Sequence, residues 1–205
     1  MTTRAHLSTL VILLCGCLAG MAAAQTTSPP TSSDAAQVAA AANPAPGIRA
    51  GAATGAVQMT VFCDVEDEAC RRLVVVLGSV VEQYPERVGI LFRHHAPPEH
   101  ERARWAYQAA LAAGRQGRGW ELLDMACANP DRLDEAGLRS MAAQLGLDTG
   151  RFTADLAADA AAQVLRDDEE QAKGLGVTSV PAVFVNGSRM AGPWTFEAFA
   201  TLMIR

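Results

Sequence analysis

The chain has 205 residues, half of them hydrophobic and 19% charged, with a formal net charge of -5. That balance fits one globular domain with additions and excludes a disordered chain. No cluster of Lys and Arg stands out, so a nucleic-acid-binding role is set aside.

The first 25 residues, MTTRAHLSTLVILLCGCLAGMAAAQ, combine a basic start at Arg4, an apolar run from Leu7 and small residues at Ala22–Ala24. This is the pattern of a secretory signal cut before Gln25. The apolar part is short and interrupted by glycine, below the ~20 residues a membrane span needs. A second reading takes LCGC as a lipoprotein box with Cys17 lipidated, although a Cys at the box's second position is off pattern. Both readings place the mature chain outside the cytoplasm, in the periplasm or cell envelope, where disulfides persist. Membrane attachment is then expected only through that lipid anchor. Residues 25–55 are rich in Ser, Thr, Ala, Pro and Gly without an aromatic, and read as a disordered tether.

The domain is expected over 56–205. VQMTVF (57–62) reads as a buried strand. ACRRLVVVLGSVVEQYP (69–85) repeats apolar residues at helical spacing and stops at Pro85. RVGILFR (87–93) is a second strand, which completes a βαβ unit with parallel strands. From about 99 to 166 the chain is rich in Ala and Leu, with breaks at GRQGRG (114–119), ANPDRL (128–133) and GLDTGRF (146–152). That predicts a block of three or four helices, and a further helix precedes GLGV (174–177). AVFVNGSRMAG (182–192) reads as a hairpin turning at Asn186-Gly187, and TFEAFATLMIR closes the chain as a helix. This order of elements is an α/β class: a thioredoxin-like fold with an inserted helical domain.

Two stretches make a resemblance specific. GVTSVPAVFVNG (176–187) is similar to the cis-proline loop, strand and turn of the DsbA-like thiol–disulfide oxidoreductases. FRHHAPPEHERARWAYQAALAA (92–113) resembles that family's entry into its helical domain, and WELLDMACANPDRL and LGLDTGRF follow in order. The likeness covers roughly 57–205. It implies a site between the first strand and the first helix, written Phe-x-Asp-x-x-Cys-Pro-x-Cys. With Phe62 and Asp64 on that pattern, Asp67 falls on the first cysteine, Glu68 on the proline and Cys70 on the second cysteine. DEAC thus stands where Cys-x-x-Cys is expected. The first sulfur of such a motif attacks the substrate and the second resolves the mixed disulfide. Val61 also stands where such folds often carry a buried acid.

The site residues carry definite expectations. Cys70, surrounded by Asp64, Glu66, Asp67 and Glu68, is expected to be a poor nucleophile. Asp67 is expected to cap the helix. Cys63 is the candidate second thiol if Cys70 reacts at all, and Cys127 reads as a buried small residue. Cys63, Cys70, His94, His95 and His100 match no zinc spacing, so no metal and no cofactor is expected. The resemblance implies Val180 and Pro181 as a backbone edge for extended substrate. Two functions stay open: a redox-silent envelope protein that binds exported or unfolded polypeptide or a protein partner, or an oxidoreductase using Cys70 with Cys63 or another thiol.

Overall fold

The computed structural model describes residues 47–158 and 160–204. The export segment, Cys17 and the tether as far as residue 46 lie outside these residues. The described chain opens with a strand, β1 (Ile48–Gly51), inside the stretch expected to be tether to residue 55. β1 pairs antiparallel with β3 (Val88–His94), Ile48 opposite Phe92 and Gly51 opposite Gly89. The ordered domain therefore begins earlier than its composition predicts. A strand held by backbone pairing needs little from its side chains. The close approach depends on Gly89, where a Cβ would lie 2.3 Å from the Ala52 carbonyl oxygen.

β2 (Val57–Cys63) runs parallel to β3 and antiparallel to β4 (Ala182–Val185), and β4 turns back into β5 (Ser188–Met190). The sheet order is β1-β3-β2-β4-β5, so β2 is central. Both its faces are covered, which explains its nearly unbroken apolar sequence. Val57, Met59, Val61 and Cys63 face the main core. Phe62 joins a smaller cluster with Ala172, Val177, Ala182 and Phe184 on the other face. The Asn186-Gly187 turn is seen as expected: Asn186 has φ 47° and Gly187 φ 83°. The turn is tied down where Asn186 Oδ1 accepts from the Gln58 amide at 2.8 Å.

α1 (Glu68–Gln83) links β2 to β3 and buries Cys70, Leu73, Val74, Leu77 and Val80 on one stripe. Each fully buried Leu or Val contributes about 1.5–3 kcal/mol relative to exposure. The helical block is α2 (Glu101–Gly114), α3 (Gly119–Ala128), α4 (Glu135–Gln144) and α5 (Thr149–Leu156). α6 (Ala160–Gly174) returns to the sheet, so the expected end of the block near 166 falls within a helix. α7 (Phe196–Ala200) closes the fold. The first two predicted breaks coincide with the observed ones; of the third, 146–152, only 146–148 is a break, because Asp148 caps α5 and Thr149–Phe152 form its first turn. Asp134, Asp148 and Thr195 cap α4, α5 and α7 by accepting backbone amides of the first turn.

A buried polar cluster joins the sheet to the helices. Asp168 on α6 is fully buried and accepts from Arg93 Nη1 at 2.5 Å, Tyr107 Oη at 2.7 Å and the His94 amide at 2.9 Å. Burial pushes the Asp168 carboxyl up, and these donors oppose the shift. The His94 ring stacks on Tyr107, and burial, with Arg104 and His95 nearby, lowers its pKa to about 4. His94 is therefore neutral at physiological pH.

Candidate functional site

β2 ends at Cys63, the loop 64–67 follows, and α1 starts at Glu68. Asp67 is the N-cap of α1. Its backbone is extended (φ -78°, ψ 129°) and its Oδ1 accepts from the Cys70 amide at 2.8 Å. Asp is favoured here because its short side chain reaches an amide that the helix leaves unpaired. Replacing Asp67 with Ala should lower stability by about 1 kcal/mol, read from the denaturation midpoint.

The acids crowded into this loop do different work. Asp64, 1% exposed, accepts from the Glu66 amide at 2.8 Å and meets His100 Nδ1 at 2.5 Å. Glu66 receives both Arg102 Nε (3.1 Å) and Nη2 (2.8 Å), and its other oxygen accepts from the Ala103 amide at 3.2 Å. Glu66 thus caps the first turn of α2 from outside the helix. Glu68 pairs with Arg72 one turn on. Arg71 donates to the Glu66 carbonyl at 2.6 Å and supports the loop from behind. Asp64 and Glu66 hold the loop against α2, while Asp67 and Glu68 serve the first turns of α1.

The His100–Asp64 pair has a pH signature. The hydrogen bond to Asp64 raises the His100 pKa, and partial burial opposes the shift. A raised folded-state value gives stability that is full below the unfolded pKa of about 6.5 and is lost as pH rises through the folded value. His100→Ala should therefore destabilise the protein more at about pH 5.5 than at about pH 8.5. Paired denaturation curves at the two pH values read this. An equal loss at both contradicts the pairing.

The sulfurs lie deeper. Cys63 is 0%, Cys70 1% and Cys127 5% exposed, and all three are free thiols. The Asp64 amide donates to Cys70 Sγ at 3.3 Å. Burial, and then the neighbouring Cys70 thiol, push the Cys63 thiol well up. Burial raises Cys127 to about 12, with Asp124 and Cys70 adding to the shift. Among the described residues no group of three or more His, Cys, Asp or Glu is placed to hold a metal. No helix among them is long and apolar enough to cross a membrane.

Val180 and Pro181 are half-buried, join through a cis peptide, and immediately precede β4. Phe62 pairs with Ala182, so one step further the register sets Pro181 opposite Cys63. The predicted site residues Cys63, Asp67, Cys70, Val180 and Pro181 thus cluster at one end of the central strands. A cavity of about 650 Å³ lies elsewhere, lined by Ile48, Leu111, Trp120 and Val164 among others, and includes none of them.

The sequence model of the family described as DSBA-like thioredoxin domain matches residues 65–203. The chain belongs to this family. Among solved structures, the DSBA-like domain is similar to a thioredoxin-like oxidoreductase from Silicibacter pomeroyi DSS-3. The identity is 25%, the TM-score 0.62, and the match covers 75% of this chain and 87% of that one. It shares its fold with the thiol-disulfide exchange protein alpha-DsbA2 from Wolbachia pipientis. There the identity is 14%, the TM-score 0.72, and the coverage 86% of this chain and 98% of that one. Curated relatives include the Na(+)/H(+) antiporter NhaA 3 of Salinispora tropica, 34% identical over 144 residues. That match covers 70% of this chain and 21% of the relative. NhaA 1 of Mycolicibacterium gilvum is 31% identical over 137 residues, covering 65% of this chain and 22% of the relative. The DSBA-like domain spans about a fifth of the length of these relatives.

Three features of the site escaped the sequence reading. The partners of Asp64 and Glu66 lie 36 residues away for His100 and Arg102. An acid that ends a buried strand hints that it needs a partner, but does not say which. Arg93 within the apolar run RVGILFR carried the same kind of hint. Cys127, read as a buried small residue, belongs to the same core as Cys70.

Proposed function

We propose that this chain is an exported DsbA-like protein of the cell envelope that binds extended polypeptide or a protein partner, its dithiol oxidase chemistry lost or weak. One observation carries the reading. The N-cap of α1, where an attacking sulfur would gain from the helix dipole, is occupied by Asp67, and the sulfur three residues on, Cys70, is buried. Disulfide transfer needs an accessible thiolate to attack first. DEAC keeps the resolving position of a Cys-x-x-Cys and lacks the attacker.

The half-buried Val180 and Pro181, ahead of the β4 ladder, leave a backbone edge for an added strand. Such an edge works without a reactive thiol. That the curated relatives are antiporters in which a match of this length makes up about a fifth supports a membrane protein as the neighbour of this domain. Export rests on the apolar N-terminal segment. The mature N-terminus should be Gln25 or a lipid-modified Cys17, and an intact Met1 on cytoplasmic protein overturns it. A second reading, oxidoreductase chemistry through Cys70 with Cys63, is favoured by the place of Cys70 Sγ, 3.3 Å from the Asp64 amide that follows Cys63.

Titration of a fluorescent, reduced and unfolded polypeptide tests the binding reading. Saturable binding is expected, weakened by Val180→Asp and unchanged by Cys70→Ser. Binding indifferent to Val180→Asp sinks the assignment of this edge.

A further inference from the structure

Cys63, Cys70 and Cys127 all belong to the main core, contributed by the end of β2, the first turn of α1 and the last turn of α3. The first two are in contact through the backbone. The Asp64 amide nitrogen, bonded directly to the Cys63 carbonyl carbon, lies 3.3 Å from Cys70 Sγ. Both side chains are buried in the same core. Cys127 shares that core, but across two packed helices rather than along a short loop. Closing a ring from Cys63 to Cys70 spans the loop 64–69, whereas Cys70 to Cys127 spans most of the helical block. Shorter loops close at lower entropic cost and faster.

We propose that Cys63 and Cys70 form an intramolecular disulfide when the chain meets a disulfide donor in an oxidising compartment, which makes the chain a recipient of disulfides. The donor is a small or protein disulfide, R–S–S–R. One cysteine thiolate attacks a donor sulfur, the donor S–S bond breaks, and one RS⁻ leaves. The second cysteine thiolate then attacks the mixed disulfide, the Cys63–Cys70 bond forms, and the second RS⁻ leaves. The two thiol protons end on the two released thiolates. The chain loses two electrons and the donor gains them. Because both sulfurs are shut from solvent in the native fold, the exchange takes place during folding or when the first turn of α1 opens. The bond ties the end of β2 to the start of α1. Cys127 is left reduced, shielded in the core.

This goes beyond the redox-silent reading and does not depend on it. The test is to refold the full chain with a mixture of oxidised and reduced glutathione, alkylate, and digest with trypsin. Cys63 and Cys70 fall in one peptide, 50–71, and Cys127 in another, 119–132. The expected result is peptide 50–71 unalkylated and about 2 Da lighter, with Cys127 alkylated. Free-thiol signal from Cys63 and Cys70 should fall at least about tenfold. Cys127→Ser should leave that result unchanged. Peptide 50–71 fully alkylated, or cross-linked to 119–132, overturns the proposal. Turnover of a reduced substrate by the same sample, abolished by Cys70→Ser, would instead overturn the redox-silent reading and leave the pair standing.

Discussion

Replacing Asp168 with Ala should lower the stability of the domain by about 3–5 kcal/mol, the largest loss expected from a single polar truncation here. Asp168 is fully buried and is the counter-charge of Arg93, itself 1% exposed. Its carboxylate also holds Tyr107 Oη on α2 and the His94 amide on β3. Truncation strands a buried guanidinium and frees a hydroxyl and an amide in the core at once. Glu169, the next residue, is exposed, and Glu169→Ala should stay within about 0.5 kcal/mol of the parent. The double change Arg93→Met, Asp168→Leu should recover much of the loss, because it removes both charges together. Chemical denaturation midpoints report all three. A loss below about 1 kcal/mol for Asp168→Ala would mean that the pair does not join helices to sheet.

Asp67→Cys should create disulfide-transfer activity, at least about tenfold above the parent. The change puts a sulfur at the N-cap of α1, half-buried rather than sealed, where the helix dipole favours a thiolate. Cys70, one turn in, then serves as the resolving thiol. The gain should be partial. Val61 is buried and apolar and offers no proton acceptor beneath the site, and Glu66 and Glu68 stay close to the introduced sulfur. It should also lower stability by about 1 kcal/mol, since the amide that Asp67 caps loses its partner. Reduced unfolded substrate, assayed for regained disulfides, measures the first effect and a melting curve the second. A folded variant with no gain would mean that Asp67 does not occupy the attacking position.

The parts of this fold written in local patterns were readable. The apolar stripe of α1 from Leu73 to Val80, the unbroken apolar β2 and the Asn186-Gly187 turn each encode their own geometry. Asp67 as a cap followed from one residue type at one position. What could not be read is held by distant partners. β1 has no strand-like pattern, because its structure comes from backbone pairing to β3 and from the missing Cβ of Gly89. Asp168 is one of four consecutive acids, and only the packing of α6 against the sheet selects it for burial. Of the four acids near Cys70, sequence spacing suggested a shared repulsion. In the folded chain, Asp64 and Glu66 are instead committed to His100, Arg102 and the start of α2. Cys127 joins the core that holds Cys70 through the docking of α3 on α1, which no local motif announces.

The central proposal is that dithiol oxidase chemistry is lost or weak in this DSBA-like domain. The most direct measurement is turnover of a reduced, unfolded substrate by the purified protein under an excess of oxidised glutathione, with Cys70→Ser alongside. The account predicts equal rates for the two, both at the level of glutathione alone. A rate above that background that disappears in Cys70→Ser would contradict it and make Cys70 catalytic.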